Sequence, residues 1–278
     1  MPLIPFSEVY AMDKLPQAQS ELREMDTLAA ADSPVHRLHP ICKLSVTLLY
    51  IVIVVSFPKY DLSGLIAMVL YPVIAYQMAG IPIRLCFRKL RYVLPLVCAV
   101  GLVNPFLDHT PFVTLGSFTV TGGIISMLTL LFKGCFSLMA SFLLIATTSI
   151  DSICAALRKL HVPELLVTLL LLTYRYIGVM LEEVGIMSQS YRLRSPGQKG
   201  IHISAWGSFL GQLLLRSMDR AQELYSSMLL RGFRGEFFYA QGSPFGFGDA
   251  VFLLGWGIAF LCARRWNLPA VAGSIFVR

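Results

Sequence analysis

At 278 residues, 56% of them hydrophobic and only 14% charged, the chain has too little polar surface to coat a soluble core; globular domains carry about 25% charged residues. Much of its exterior must therefore face lipid. The excess of 23 Lys and Arg over 16 Asp and Glu gives a formal charge of +7 without any nucleic-acid-binding pattern. Those cations collect at the ends of apolar runs, as cytoplasmic loops do, so a bilayer is the expected partner and nucleic acid is not.

Residues 1–35 form an acidic N-terminal segment expected in the cytoplasm (Glu8, Asp13, Glu21, Glu24, Asp26, Asp32), with a surface helix predicted over Gln17–Ala31. Its opening, Met1-Pro2-Leu3-Ile4, has no basic n-region, so insertion is expected to use the first span. Residues 36–150 hold four apolar runs: Leu44–Phe57, Leu62–Ala79, Tyr92–Leu107 (interrupted by Pro95 and Pro105) and Ile124–Thr148. A bilayer core about 30 Å thick needs about 20 helical residues, and flanking His, Tyr and Lys extend the shorter runs. Cations cluster before the first run (His36, Arg37, His39, Lys43), between the second and third (Arg84, Arg88, Lys89, Arg91) and after the fourth (Arg158, Lys159, His161). The other two connections hold little beyond Lys59, Asp61, Asp108 and His109. The positive-inside rule then predicts a multi-pass protein of the cell membrane with a cytoplasmic N-terminus. Lys133 lies inside the fourth run, where it is expected to pack against a partner or a polar cavity.

From 151 to 243 the character changes, and long cytoplasmic or interfacial helices are predicted. The apolar Leu165–Leu181 contains Tyr174-Arg175-Tyr176, runs into Glu182-Glu183, and leads to Tyr191-Arg192-Leu193-Arg194-Ser195-Pro196-Gly197, a basic helix end and a turn. A second helix over Ser204–Leu230, roughly 40 Å long, ends in Leu230-Arg231-Gly232-Phe233-Arg234-Gly235. Residues 244–278 contain a further apolar stretch, Asp249–Cys262, before Arg264-Arg265 and a short run over Leu268–Val277. It is predicted either to cross outward, placing both arginines outside, or to re-enter as a hairpin. The fold class expected is thus all-α, a polytopic membrane helix bundle with long coupling helices.

No catalytic pattern accompanies this architecture. There is no GxxxxGK[ST], Gly197-Gln198-Lys199-Gly200 being only superficially similar, and neither HExxH nor a supported GxSxG occurs. The five histidines are scattered and the six cysteines include no CxxC, so no metal site, no bound cofactor and no enzymatic activity are expected in this chain. What stands out is the pair of arginine-bearing helix ends. Arginine offers a rigid fork of donors to a carboxylate. Two such ends, each beside a small residue that allows close approach, suit two similar acidic pockets of the kind an ATPase dimer presents.

These residues resemble a family. Ser33-Pro34-Val35-His36-Arg37-Leu38-His39-Pro40 followed by Lys43-Leu44 is similar to the opening of the transmembrane T components of energy-coupling factor transporters. Arg158-Lys159-Leu160-His161-Val162-Pro163-Glu164 resembles their short first coupling helix and the proline after it, and Tyr174-Arg175-Tyr176 with Glu182-Glu183 fits the next helix. Leu230-Arg231-Gly232 looks like the second of the family's two Ala-Arg-Gly signatures, with Leu in place of Ala. The first aligns with Leu193-Arg194-Ser195, where only the Arg is kept and Arg192 is a rival. Met228–Phe233 with the Ser-Pro-x-His opening is closest to the CbiQ branch, which serves cobalt uptake.

The resemblance implies a scaffold for two ATP-binding-cassette ATPase subunits, which bind the ATP, and for a small membrane subunit that captures the substrate. It implies ATPase coupling through Arg194, Arg231, Gly232, Arg192 and Ser195. A nickel or vitamin importer of the same class is the alternative. A self-contained secondary transporter would need an internal repeat and paired mid-membrane charges; no repeat is evident and Lys133 has no obvious acidic partner.

Overall fold

The computed structural model describes residues 15–59, 61–107, 111–115, 118–196, 200–233, 235 and 245–265. Contacts within the chain divide it into two units, residues 1–28 with 150–240 and residues 29–149 with 241–278. The N-terminal helix α1 (Leu15–Ala29) belongs to the first of these, which is built in the next subsection. Asp108, His109, the Gly197 turn, Arg234 and the Leu268–Val277 run lie outside the described residues.

The second unit starts at a polar entry. Arg37 donates two hydrogen bonds to Asp32, at 2.8 and 2.7 Å, and the guanidinium holds that carboxyl below its usual range. Helix α2 (Pro40–Val55) follows, with Pro40 in the first turn, where its missing N–H costs nothing. His39 caps it, its Nδ1 accepting the Ile41 N–H at 3.2 Å.

The second apolar run is not one helix. It divides into α3 (Leu62–Ala67) and α4 (Leu70–Ala79) with a turn at Met68–Val69. Pro72 is the cause: it has no N–H to return to the carbonyl four residues back, that of Met68. The freed Met68 carbonyl accepts the Tyr50 hydroxyl at 2.9 Å, so the break is satisfied from α2.

The third run also departs from expectation. Helix α5 spans Ile83–Gly101 and so takes in Arg84, Arg88, Lys89 and Arg91, which the charge pattern suggested as a loop. A short α6 (Asn104–Leu107) leads to an antiparallel hairpin of β1 (Pro111–Leu115) and β2 (Phe118–Thr121), with Leu115 opposite Phe118. This two-stranded piece is the one addition, among the described residues, to the all-helical membrane bundle expected.

The long α7 (Gly122–Thr147) is the centre of the unit, packing against α2, α4 and α5. Gly134 permits the close crossing with α5, since a Cβ there would lie 3.1 Å from Val97 Cγ1. Against α2 the helix runs antiparallel, and a lysine marks each end of the pair. Lys43 of α2 donates to the Thr147 carbonyl at 2.7 Å, and Lys133 of α7 donates to the carbonyls of Val55 and Phe57 at 3.0 and 2.5 Å. Each cation thus satisfies the orphan carbonyls at the other helix's C-terminus, where the helix dipole also favours it. Lys133 is accordingly a structural cap, matching the expectation that it packs against a polar partner.

The last described helix, α11 (Phe247–Arg265), returns to α2 and runs parallel to it. Asp249, 8% exposed, accepts the His39 N–H at 2.7 Å at one end, while at the other the Arg264 guanidinium lies 5.6 Å from the centre of the Phe57 ring. Between them Tyr50, Tyr71, Trp256 and Phe260 stack with centroids 4.7–5.6 Å apart, closing the core of α2, α4 and α11. Of the two readings of this segment, the described residues form a single helix carrying Arg264 and Arg265 to the Phe57 end.

By length and composition, three of the described helices are able to cross a membrane: α7, α11 and, in the first unit, Glu164–Arg194. The chain is a membrane protein.

Candidate functional site: two arginine-bearing helix ends

Besides α1, the described residues of the first unit form three helices whose ends carry the basic residues. Helix α8 (Ile150–Lys159) has Asp151 in its first turn and Arg158 and Lys159 in its last, the polarity its dipole favours. It stops at His161, which adopts φ 62°. The His161 N–H bonds the Arg158 carbonyl at 3.0 Å and the Val162 N–H bonds that of Leu157 at 3.2 Å, the double bond of a Schellman stop. Leu157 and Val162 then pack together on the buried Cys154, Val167 and Leu171, which anchors α8 to the next helix.

That helix, α9, spans Glu164–Arg194 and begins after Pro163, with Arg158 donating to the Glu164 carboxylate at 2.9 Å. Arg175 reaches Asp151 at 3.4 Å, and the Tyr174 hydroxyl donates to Asp26 of α1 at 2.6 Å. α9 ends because Pro196 disfavours helical backbone in the residue before it. Ser195 accordingly sits at φ −127°, ψ 69°, its N–H still bonded to the Tyr191 carbonyl at 3.1 Å. Arg192, Leu193 and Arg194 are all exposed on this terminal turn. Both arginines project from one helix end, so Arg192 remains alongside Arg194.

Helix α10 (Ile203–Leu230) is capped by His202 and finishes in the second stop. The Gly232 N–H bonds the Leu229 carbonyl and the Phe233 N–H that of Met228, both at 2.9 Å. Gly232 has φ 82°, a conformation that costs a residue with a Cβ about 1–2 kcal/mol. Its place after Arg231 is therefore a helix-ending requirement: it turns the chain back and leaves Leu230, Arg231 and Gly232 exposed at the tip. Gly232→Ala is expected to fray the last turn, seen as faster amide exchange over residues 230–233. Gly232→Asn, which tolerates φ > 0, is expected to lose less. Unchanged exchange in the alanine variant would mean the stop does not depend on glycine.

The two long helices run antiparallel. Glu183 of α9 pairs with Arg216 of α10, and near the connection the His202 N–H reaches the Tyr191 hydroxyl at 3.4 Å. Between the first half of α9 and the second half of α10 lies an apolar groove of ≈ 430 Å³ lined by Leu169, Tyr176, Leu224, Met228 and Phe233 among others. Arg194 stands eleven residues beyond the Glu183–Arg216 pair in one direction and Arg231 fifteen beyond it in the other. At about 1.5 Å per residue the two tips are roughly 40 Å apart.

The sequence-predicted residues therefore gather into two places. Arg192, Arg194 and Ser195 share one tip, while Arg231 and Gly232 make the other. Among the described residues no side-chain hydrogen bond or ion pair holds the guanidinium of Arg194 or Arg231, and no group of three or more His, Cys, Asp or Glu is placed to hold a metal ion. Sequence reasoning did not find the His161 stop, although Leu157 and Val162 flanking it are its hydrophobic signature.

Comparison with known proteins follows this layout. Residues 31–240 match the family described as "CbiQ: Cobalt transport protein". An uncharacterized protein of Methanocaldococcus jannaschii is 32% identical over 111 residues, 39% of this chain and 38% of the relative. The "Nickel permease LarQ" of Lactiplantibacillus plantarum is 29% identical over 96 residues, 34% of this chain and 35% of the relative. The "Cobalt transport protein CbiQ" of Rhodobacter capsulatus is 30% identical over 94 residues, 34% of this chain and 38% of the relative. Each alignment spans little more than a third of the relative's length.

Proposed function

Since the chain belongs to the CbiQ cobalt transport family, we propose that it is the transmembrane coupling subunit of an energy-coupling factor importer. In this reading two ATP-binding-cassette ATPases bind and hydrolyse ATP beneath the membrane, and a small membrane subunit captures the substrate. This chain joins them. In this reading its N-terminus is cytoplasmic and α9 and α10 lie along the cytoplasmic face instead of crossing the bilayer, so that both exposed tips face the ATPases.

The observation that carries the proposal is the spacing of the two tips. A two-fold dimer of ATPases would offer the same acidic pocket twice, at two separate places. A single arginine cluster could not engage both. The antiparallel α9–α10 pair presents one arginine tip in each direction, roughly 40 Å apart, on helices tied by Glu183–Arg216. Arg194 and Arg231 act as forks for ATPase carboxylates. When the ATPases close on ATP, both tips are drawn with them, and the helices carry that displacement to the substrate subunit.

Cobalt is the proposed cargo, following the family. The nickel permease among the similar proteins keeps nickel as the second reading. The cargo ion is bound by the partner subunit in either case.

The test is to purify the tagged chain from native membranes in mild detergent and identify what accompanies it. Two ATPase copies and a small membrane protein are expected, with cobalt retained by the latter. Purification alone, with ATP-independent ion transport in liposomes, would favour a secondary transporter and remove the role assigned to the arginines.

A further inference from the structure

The outward side of α11 changes character at its end. Its exposed positions recur at helical spacing as Val251, Leu254, Ile258 and Leu261, 54% to 60% exposed, and the series closes on the exposed Arg265. Trp256 and Phe260, on the other side, hold the helix to Tyr71. From Ala250 to Ala263 no charged residue occurs. At the tip Ile258, Leu261, Cys262, Arg264 and Arg265 line a groove of ≈ 700 Å³. The Arg264 guanidinium is held over the Phe57 ring, 5.6 Å from its centre. Such a contact engages the flat face of the group and leaves the donors at its edge for another partner. Among the described residues no ion pair or side-chain hydrogen bond holds either guanidinium. The described carboxylates of this unit are engaged elsewhere: Asp32 with Arg37, Asp61 with the Gly64 N–H at 3.0 Å, and Asp249 at the far end of α11.

We propose that this groove binds one anionic phospholipid, its headgroup phosphate held by Arg264 and Arg265 and an acyl chain lying along Leu261, Ile258 and Leu254. Charge selects the occupant: two adjacent guanidinium groups without a carboxylate partner favour an anion, and phosphate matches the guanidinium fork. Length agrees. From Arg265 back to Leu254 is roughly 16 Å at the α-helical rise, about the depth of one leaflet of a hydrocarbon core about 30 Å thick. The helix dipole also favours a cation at this end, and an arginine there reaches the interface by its own length. Neither effect calls for a second guanidinium or for a groove beside the pair. A zwitterionic lipid fills the apolar part equally well, so the arginines confer the selectivity. The inference rests on the chain being a membrane protein and does not depend on ATPase coupling.

The experiment is native mass spectrometry of the full chain in detergent with equal amounts of phosphatidylglycerol and phosphatidylcholine. Wild type is expected to retain phosphatidylglycerol preferentially, and Arg264→Gln with Arg265→Gln to lower that preference about fivefold per cation removed. Arg265→Gln alone, which leaves the Phe57 contact intact, should show one such step. Arg264→Lys with Arg265→Lys should retain most of the preference, which separates lost charge from misfolding. Ile258→Ala with Leu261→Ala is expected to weaken retention of both lipids. Equal retention of the two lipids by wild type would overturn the proposal, as would an unchanged preference in the double glutamine variant. Displacement of the lipid by millimolar inorganic phosphate would mean a simple anion site. Preference that emerges only after removal of residues 266–278 would make that segment the occupant, and a dimer lost in the glutamine variant would make it a second copy of the chain.

Discussion

Replacing Arg194 and Arg231 together with alanine is expected to leave the protein inserted and folded while abolishing ATPase capture and ATP-driven uptake. Both side chains are exposed, and surface substitutions of this kind usually change stability by no more than about 0.5 kcal/mol. In the complex each guanidinium would be buried against a carboxylate. Removing one partner of such a pair costs about 2–5 kcal/mol, or roughly 30-fold to several thousand-fold in affinity per tip. The tips act through a shared rigid element, so losing one also removes the advantage of bivalent attachment. Each single variant should therefore retain a weakened complex and the double variant none. Arg→Lys at both positions keeps the charge but loses the fork, and is expected to fall between. The readouts are ATPase co-purification and metal uptake in cells. Normal uptake by the double variant would end the coupling role of these residues.

The second large effect is expected from Asp249→Ala, and it concerns the fold. This one carboxylate serves two helix N-termini. It reaches back to the Gly246 N–H at 2.9 Å at the start of its own helix α11, as the acid of a capping box does. It also accepts the His39 N–H at the start of α2. Alanine would take this acceptor from the buried His39 N–H, leave the exposed Gly246 N–H to water, and remove the anion beside buried Lys43. Loss of a partner at a buried donor costs about 1–3 kcal/mol, so a loss of about 1–3 kcal/mol is expected. Thermal unfolding in detergent should register it as a marked fall in midpoint. Asp249→Asn keeps one carbonyl acceptor and should fall less. An unchanged midpoint for Asp249→Ala would mean that α11 is held by its aromatic contacts alone.

Much of this architecture was legible because lipid-facing helices write themselves in composition. The apolar runs located α2 and α7, and the paired ends Arg192–Pro196 and Leu230–Phe233 announced where α9 and α10 stop. The errors have local causes. Pro72 sits inside an apolar run, and hydropathy is blind to a missing N–H, so α3 and α4 read as one helix. The cations at 84–91 read as a loop because charge usually marks one; on α5 they occupy a helix face instead. The partners of Lys133 were beyond reach in principle. They are backbone carbonyls more than 70 residues away, and no side-chain pattern encodes a carbonyl left open at a helix end. The separation of the two arginine tips depends on α9 and α10 running antiparallel, which follows from Glu183 meeting Arg216 while Tyr191 meets His202, and not from either signature.

The crossed lysines of α2 and α7 also decide how the bundle yields under load. A slip of one helix past the other by a single turn, about 5.4 Å, would strip Lys43 from Thr147 and Lys133 from Val55 and Phe57 in the same movement. Upward or downward, both ends let go at once, so the pair has a detent and no gradual slide. Force reaching this unit is therefore transmitted whole, as through a keyed shaft.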